Sequence, residues 1–328
     1  MKIVNTTRLA VCAATLLPIF SFAAPTVTDL SARQRYPWNG LVDISFTMSE
    51  SGCIAIAATN TATGAAVPVR TLRDRAGNAV EEDTEFAHGE VSLVWAAGTD
   101  VPETLIETLA LLVVGAPPHS KVQLWAGGPY WAETNIGAEN PEDYGLYFWW
   151  GDTVGYRREG NAWVASDGSS SNFSFGSGSA PTYGKKYSTL QSEGWIVTKN
   201  GTYVLAPEHD AAQAHWGGNW RMPTKVELEA LNKNCDWTWT TRNGVSGYLV
   251  RGRGAYSSAS IFLPAAGYGN GTSLVLAGSL GYSWSFVPYS DSDRYYAWTL
   301  FFDSGDHSTC SGRRYYGQFV RPVHGFTK

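Results

Sequence analysis

The chain has 328 residues, 13% of them aromatic, with 35 glycines and a formal net charge of −5. A mildly acidic chain without a basic tract excludes a nucleic-acid partner held through phosphates. Its four cysteines form no CxxC and match neither a disulfide framework nor a zinc pattern.

In chain order, Lys2 and Arg8 lead into an apolar run from Leu9 to Phe20 that is too short to span a bilayer. Ser21-Phe22-Ala23 follows, with small residues where a signal peptidase reads. The pattern predicts a secretory signal over 1–23, cleaved after Ala23, and a secreted or cell-surface protein. No later transmembrane segment is expected, because the apolar stretch from Leu105 to Gly115 is short and carries Glu107. Cys53, Cys235 and Cys310 remain after cleavage. An oxidising compartment allows one bridge among them, and Cys235 with Cys310 is the pair within the C-terminal half.

Residues 24–117 read as a small all-β, Ig-like sandwich. Val42 to Thr47 alternates apolar and polar residues with period two, and Cys53 to Ala57, Val91 to Trp95 and Leu109 to Val114 are further strand candidates. Asn60 to Gly64 and Arg75 to Asn78 are turn clusters between them. Trp38 and Trp95 are expected to anchor the core. This region carries no catalytic pattern and reads as a spacer. Pro117 and Pro118 stiffen the connection that follows, with the linker placed at 118–120.

Residues 121–328 form the second expected domain and hold 12 of the 14 tryptophans. Thr224, with Glu227 three residues on and Val226, Leu228 and Leu231 as apolar positions, predicts a capped helix. A second helix is expected over Pro207 to His215, with Pro207 in its first turn. The Gly/Ser stretch from Ser166 to Ala180 reads as an exposed loop.

Seven motifs occur in order along this domain: WAETNIG from Trp131, PEDYGLYFWWG from Pro141, WGGNWRMPT from Trp216, CDWTW from Cys235, IFLPAAGY from Ile261, GYSWS from Gly281 and VRPV from Val320. The ordered set resembles the Fibrobacter major paralogous domain family, over essentially all of 121–325. The resemblance implies an α+β C-type-lectin-like domain of the formylglycine-generating-enzyme-like branch. Trp216, Trp220, Trp237, Trp239 and Trp284 then fill its core, Gly217 and Gly218 permit a tight turn, and Arg221 and Arg321 brace loops through buried carbonyls or carboxylates.

The enzymatic branch of that fold uses a C-terminal cysteine pair, and here Cys310 has no partner nearby in sequence. The tripeptides that carry calcium-dependent sugar binding in C-type lectins are absent, and no GxSxG occurs. The chain therefore reads as a binding protein without catalytic residues, metal or cofactor.

The last fifty residues carry the functional expectation. Of the chain's 8 Lys, 15 Glu, 5 Gln, 3 Met and 14 Trp, only Trp298 falls between Phe286 and Tyr316, a run rich in Tyr, Ser, Asp, Arg and Gly. Tyr supplies contact area at low entropy cost, and Ser and Gly supply adaptable polar contacts. Mutating the adenines of Asn codons reaches Tyr, Ser, Asp, His, Arg, Gly, Cys, Thr and Phe, but none of those five depleted types. The fold implied by the resemblance is one that variable proteins of diversity-generating retroelements use. The run at about 286–316 is accordingly read as a hypervariable region. Its expected ligand-binding residues are Tyr289, Asp291, Asp293, Arg294, Tyr295, Tyr296, Asp303, Asp306, His307, Ser308, Thr309, Ser311, Arg313, Tyr315 and Tyr316, exposed on one face. Alternation with Ala297, Leu300 and Phe302 predicts strands whose other side is core. The partner is an unknown extracellular protein or glycan. The alternatives are a surface adhesin or carbohydrate-binding module that is not diversified, and then an enzyme of the formylglycine-generating type.

Overall fold

The computed structural model describes residues 2–3, 25–36, 39–80, 84–102, 105–106, 108–116, 119–217 and 219–325. Apart from residues 2–3, the expected signal peptide lies outside the described residues, as do Trp38, Gly218 and the Pro117-Pro118 pair. The chain divides into two compact units, Met1–Pro118 and His119–Lys328.

The core of the first unit lies between two antiparallel sheets. One sheet runs in the order Val27–Gln34, Val42–Met48, Gly89–Trp95, Leu72–Asp74, and the other Ala66–Val67, Cys53–Asn60, Leu109–Ala116. The period-two pattern turns Val42, Ile44, Phe46 and Met48 inward, where they meet Ile54, Leu111 and Val113 of the other sheet. Trp95 is fully buried, and its indole N–H donates to Asp100 Oδ2 at 2.8 Å. Burial alone would raise the Asp100 carboxyl, but donors from Arg70, Trp95 and Thr71 hold it below its usual value.

The second unit is built on a seven-stranded sheet. Its strands are β1 (Tyr147–Phe148), β2 (Tyr156–Glu159), β3 (Ala162–Ala165), β4 (Leu280–Pro288), β5 (Tyr296–Asp303), β6 (His307–Arg313) and β7 (Gln318–Phe319). They lie in the order β3-β2-β1-β7-β4-β5-β6, antiparallel except for the β4–β7 pair. Both faces of this sheet are covered. Tyr147 and Phe148 are neighbours in sequence and enter different cores, because successive side chains of a strand point to opposite faces. Phe319 and Val320 do the same. One core holds Trp163, Phe175, Leu228, Leu231, Leu300 and Phe302, and the other holds Trp150, Trp220, Trp284 and Ala297.

Strands account for 45% of the described residues and helices for 11%. This overturns the assignment of an α+β C-type-lectin-like domain: the molecule is mainly β, spread over several small sheets. The physical reason is the shortage of helical stripes. The helix expected over 207–215 becomes a 3-10 turn at Pro207–His209 and a six-residue helix at Ala211–Trp216, separated by Asp210, whose carboxylate accepts the Ala212 and Gln213 N–H groups. Among the described residues the one helix of about three turns is Lys225–Asn234. Thr224 caps it and forms the capping box with Glu227.

Two arginines fix the frame of this unit. Arg321 is buried and donates to the carbonyls of Ala132 and Phe262 and to Asn135 Oδ1 at 2.8–3.0 Å. Arg221 meets the Glu227 carboxylate through both terminal nitrogens, at 2.7 and 2.5 Å, and also donates to the Gly325 carbonyl. Trp216, Trp220 and Trp284 are buried as expected, whereas Trp237 and Trp239 are only half-buried. They lie on the strand Asp236–Arg242, which forms an edge of a separate three-stranded sheet.

Two outcomes follow. Trp284 fills the second core and donates its indole N–H to the Phe148 carbonyl at 2.8 Å. Trp284→Ala therefore loses about 3–5 kcal/mol of stability in urea denaturation. Burial would raise the Glu227 carboxyl, yet Arg221 and Thr224 hold it below its usual 4.5. A depressed folded-state value means that this stabilisation is present above pH 4.5 and is lost as pH falls through the folded value. Glu227→Gln should lower the melting temperature at pH 7 and flatten its decline between pH 5 and pH 3.

Candidate functional site

The 286–316 run occupies β5, β6 and the loops around them, at one end of the seven-stranded sheet. Its position is set from beneath. The Thr299 hydroxyl lies 2.6 Å from Gln318 Oε1 and 2.9 Å from the Ser283 carbonyl, Trp150 donates to the Ser285 carbonyl, and Trp149 to the Tyr315 carbonyl. Arg314 is fully buried and donates to the carbonyls of Tyr296, Thr182 and Lys185 at 2.9–3.2 Å. Its guanidinium lies 4.7 Å from the Trp150 ring.

None of the fifteen expected residues is buried. Tyr289, Asp291, Arg294, Tyr295, Asp306 and Arg313 are exposed, and Asp293, Tyr296, Asp303, His307, Ser308, Thr309, Ser311, Tyr315 and Tyr316 are half-buried. The expected single face is divided, however. In the β5–β6 register Tyr296 opposes Arg313, Leu300 opposes Thr309 and Phe302 opposes His307, so these share one side. Ala297, Phe301 and Asp303 share the other with Ser308 and Gly312. Ala297 enters one core while Leu300 and Phe302 enter the other, so the strand has no wholly solvent side.

Several expected ligand residues are occupied within the fold. Asp291 accepts the Tyr187 N–H at 2.8 Å. Asp303 accepts the N–H groups of Gly305 and Asp306, and Asp306 accepts that of His307, so both shape the β5–β6 turn. His307 stacks on Trp237 at 4.2 Å and meets Asn232 Oδ1 at 3.1 Å, and Thr309 accepts from Asn232. These two residues join the hairpin to the Lys225–Asn234 helix.

The aromatic residues form a connected surface. Ring centroids run from Tyr295 to Tyr183 (5.0 Å), Tyr315 (4.9 Å), Tyr316 (4.6 Å), Tyr268 (4.8 Å), Tyr282 (5.7 Å) and Phe301 (5.1 Å). Every ring in this chain is exposed or half-buried. Arg294 lies 5.4 Å from the Tyr295 ring, and Arg313 lies 5.6 Å from Tyr296 and 5.9 Å from Tyr315. Tyr289 packs on Trp298 at 4.6 Å, and the Lys225 ammonium sits 4.6 Å from the same indole.

Tyr183, Tyr268, Tyr282 and Phe301 escaped the sequence reading. Tyr268 and Tyr282 end and begin motifs assigned to the frame, and Tyr183 lies beyond the Gly/Ser loop; the available sign was their residue type. Burial pushes the phenols of Tyr282 and Tyr316 up to about 12, so both stay neutral donors across the physiological range. Burial likewise raises the Cys310 thiol to about 11. Cys235 and Cys310 are free thiols, so the allowed Cys235–Cys310 bridge is not formed. Among the described residues no cluster of His, Cys, Asp and Glu is placed to hold a metal ion, and no helix is long and apolar enough to cross a membrane.

No family model, curated protein or solved structure matches the chain.

The geometry separates substitutions within a single segment. Tyr295→Ser and Ser311→Asn alter outward side chains and should shift stability by less than about 1 kcal/mol. Gly312→Val places a side chain against Trp284 and Gln318, where an added Cβ already lies 2.5–3.1 Å from their atoms. It should destabilise by about 2 kcal/mol or more through overpacking. Thermal melting of the three variants compares them directly.

Proposed function

We propose that the protein is an exported ligand-binding protein whose Tyr295–Phe301 aromatic ridge is its binding face, and whose 286–316 run is the hypervariable target of a diversity-generating retroelement. The observation that carries the binding reading is the unbroken series of solvent-reaching rings from Tyr295 to Phe301, edged by Arg294 and Arg313. Tyr and Arg dominate the energetics of protein interfaces, because each combines a large contact area with a polar end. A ridge of this kind favours a folded protein surface as the ligand over a small molecule, which needs a concave pocket.

Support for diversification comes from how the run is divided. Ala297, Thr299, Leu300, Phe302, Gly312 and Arg314 are buried, whereas Tyr295, Ser308, Ser311, Arg313 and Tyr316 reach solvent. Replacements at the second set leave the packing intact, so many alleles can fold on one frame. Trp298, the residue type that adenine mutation of Asn codons does not reach, holds a fixed place between Tyr289 and Lys225.

The DNA around the gene tests the reading. The expected result is a reverse-transcriptase gene and a near-repeat of the 3′ end of this gene, with mismatches at template adenines. They should fall in codons for solvent-reaching residues and spare Thr299, Gly312 and Arg314. A locus with neither element would reject the retroelement and leave a fixed adhesin.

A further inference from the structure

The two edges of the seven-stranded sheet are treated differently by the chain. At β3 the edge is closed from within: Phe173 N–H donates to the Trp163 carbonyl, and Ala165 N–H to the Ser170 carbonyl. At β6 no further strand pairs among the described residues. The strand His307–Arg313 contains no Lys or Pro and pairs with β5 without a bulge, and the Lys225–Asn234 helix reaches it through the side chains of His307 and Thr309.

The hydrogen bonds at its two ends fix which groups of β6 face outward. Asp303 N–H donates to the Asp306 carbonyl, and Arg314 N–H donates to the Tyr295 carbonyl. Even-numbered residues from 306 to 314 therefore bond to β5, and His307, Thr309, Ser311 and Arg313 direct their main-chain groups away from the sheet. Two of these groups are already satisfied: the His307 N–H by Asp306 Oδ1, and the Arg313 carbonyl by Tyr316 N–H. The His307 carbonyl, the Arg313 N–H and both groups of Thr309 and Ser311 are left.

We propose that β6 is a homodimerisation edge, at which a second copy of this chain adds its own β6 antiparallel about a two-fold axis through Cys310. In that register Thr309 of each copy exchanges both main-chain bonds with Ser311 of the other, and the Arg313 N–H donates to the opposing His307 carbonyl. The groups this pairing leaves unused are the two that the chain satisfies for itself. The register is symmetric about the middle of the strand and so uses its full length. The same register sets Arg313 of one copy opposite His307 of its partner, twice over, on one face of the joined sheet. The two Cys310 residues become a pair without mutual hydrogen bonds, with Cα atoms ~4.5 Å apart. Because main-chain bonds supply the contact, the pairing tolerates change in neighbouring side chains. This inference goes beyond the ligand-binding reading and does not depend on it. A dimer would present two aromatic ridges to one partner and raise its avidity.

Sedimentation equilibrium of the purified full chain tests it, with three variants. The expected result is a concentration-dependent dimer. Ser311→Pro removes an outward N–H and no bond to β5, so it should weaken the dimer at least tenfold with the melting temperature unchanged. Thr309→Pro removes the other outward N–H of the exchanged pair and should weaken the dimer to the same degree. Thiol bridging in the unaltered chain decides the matter even where the proline variants fold poorly. Dibromobimane, which fluoresces on bridging two close thiols, should label the dimer through Cys310 and fail with Cys310→Ser. A monomer at every concentration overturns the proposal and leaves the edge to a strand from a different protein. A dimer that survives both proline variants and is not bridged through Cys310 also overturns it, since the copies then meet elsewhere.

Discussion

Arg314 is wholly buried, and its guanidinium donates to the carbonyls of Thr182 and Lys185 on one loop and of Tyr296 on β5. Those bonds tie together three stretches of chain that lie far apart in sequence. Tyr183 sits inside the first, Tyr295 and Tyr296 at the second, and Tyr315 directly follows Arg314. The aromatic ridge depends on this one side chain for its continuity. A guanidinium suits the task because it carries five donors in a planar fork and can sit over an aromatic ring, here 4.7 Å from the centre of the Trp150 ring. Several carbonyl dipoles, with Asp293 nearby, offset the cost of burying the cation. Burial lowers its pKa, to about 10, which leaves it charged at neutral pH. Arg321 repeats the arrangement with Ala132, Phe262 and Asn135.

A sheet with a core on each face sets the second constraint. β5 gives Ala297 to one core and Leu300 and Phe302 to the other, so solvent reaches its side chains only near the strand ends and at the flanking loops. The surface is therefore assembled from short pieces, each a residue or two long, between fixed anchors. This arrangement joins a rigid frame to outward side chains that can change without disturbing it.

Local chemistry was the legible part of the sequence. The capping box at Thr224 and Glu227 and the alternation from Val42 depend on residues a few positions apart, and both formed where expected. Long-range closure was not legible. Alternation in β5 revealed a strand but not that both of its sides are covered, since the second core comes from Trp150, Trp220 and Trp284 elsewhere in the chain. Tyr183, Tyr268 and Tyr282 join Tyr315 and Tyr316 only through the fold. Asp291, Asp303 and Asp306 read as ligand groups because a carboxylate in a polar run looks the same whether it binds a partner or shapes a turn; the hydrogen bonds from Tyr187, Gly305 and His307 show that each also has a structural role. The motif set that resembled an α+β family marked buried tryptophans and arginines, and such residues can brace a predominantly β molecule equally well.

The central claim is that one segment holds a fixed frame and a changeable surface side by side. Its most direct measurement is a stability scan of every single substitution from Phe286 to Phe319, scored by resistance to proteolysis. The account predicts a sharp pattern, with Ala297, Thr299, Leu300, Phe302, Gly312 and Arg314 intolerant while Tyr295, Ser308, Ser311 and Arg313 accept most residues. A uniform loss of stability across both groups would contradict it, because the tyrosine-rich run would then be core rather than surface.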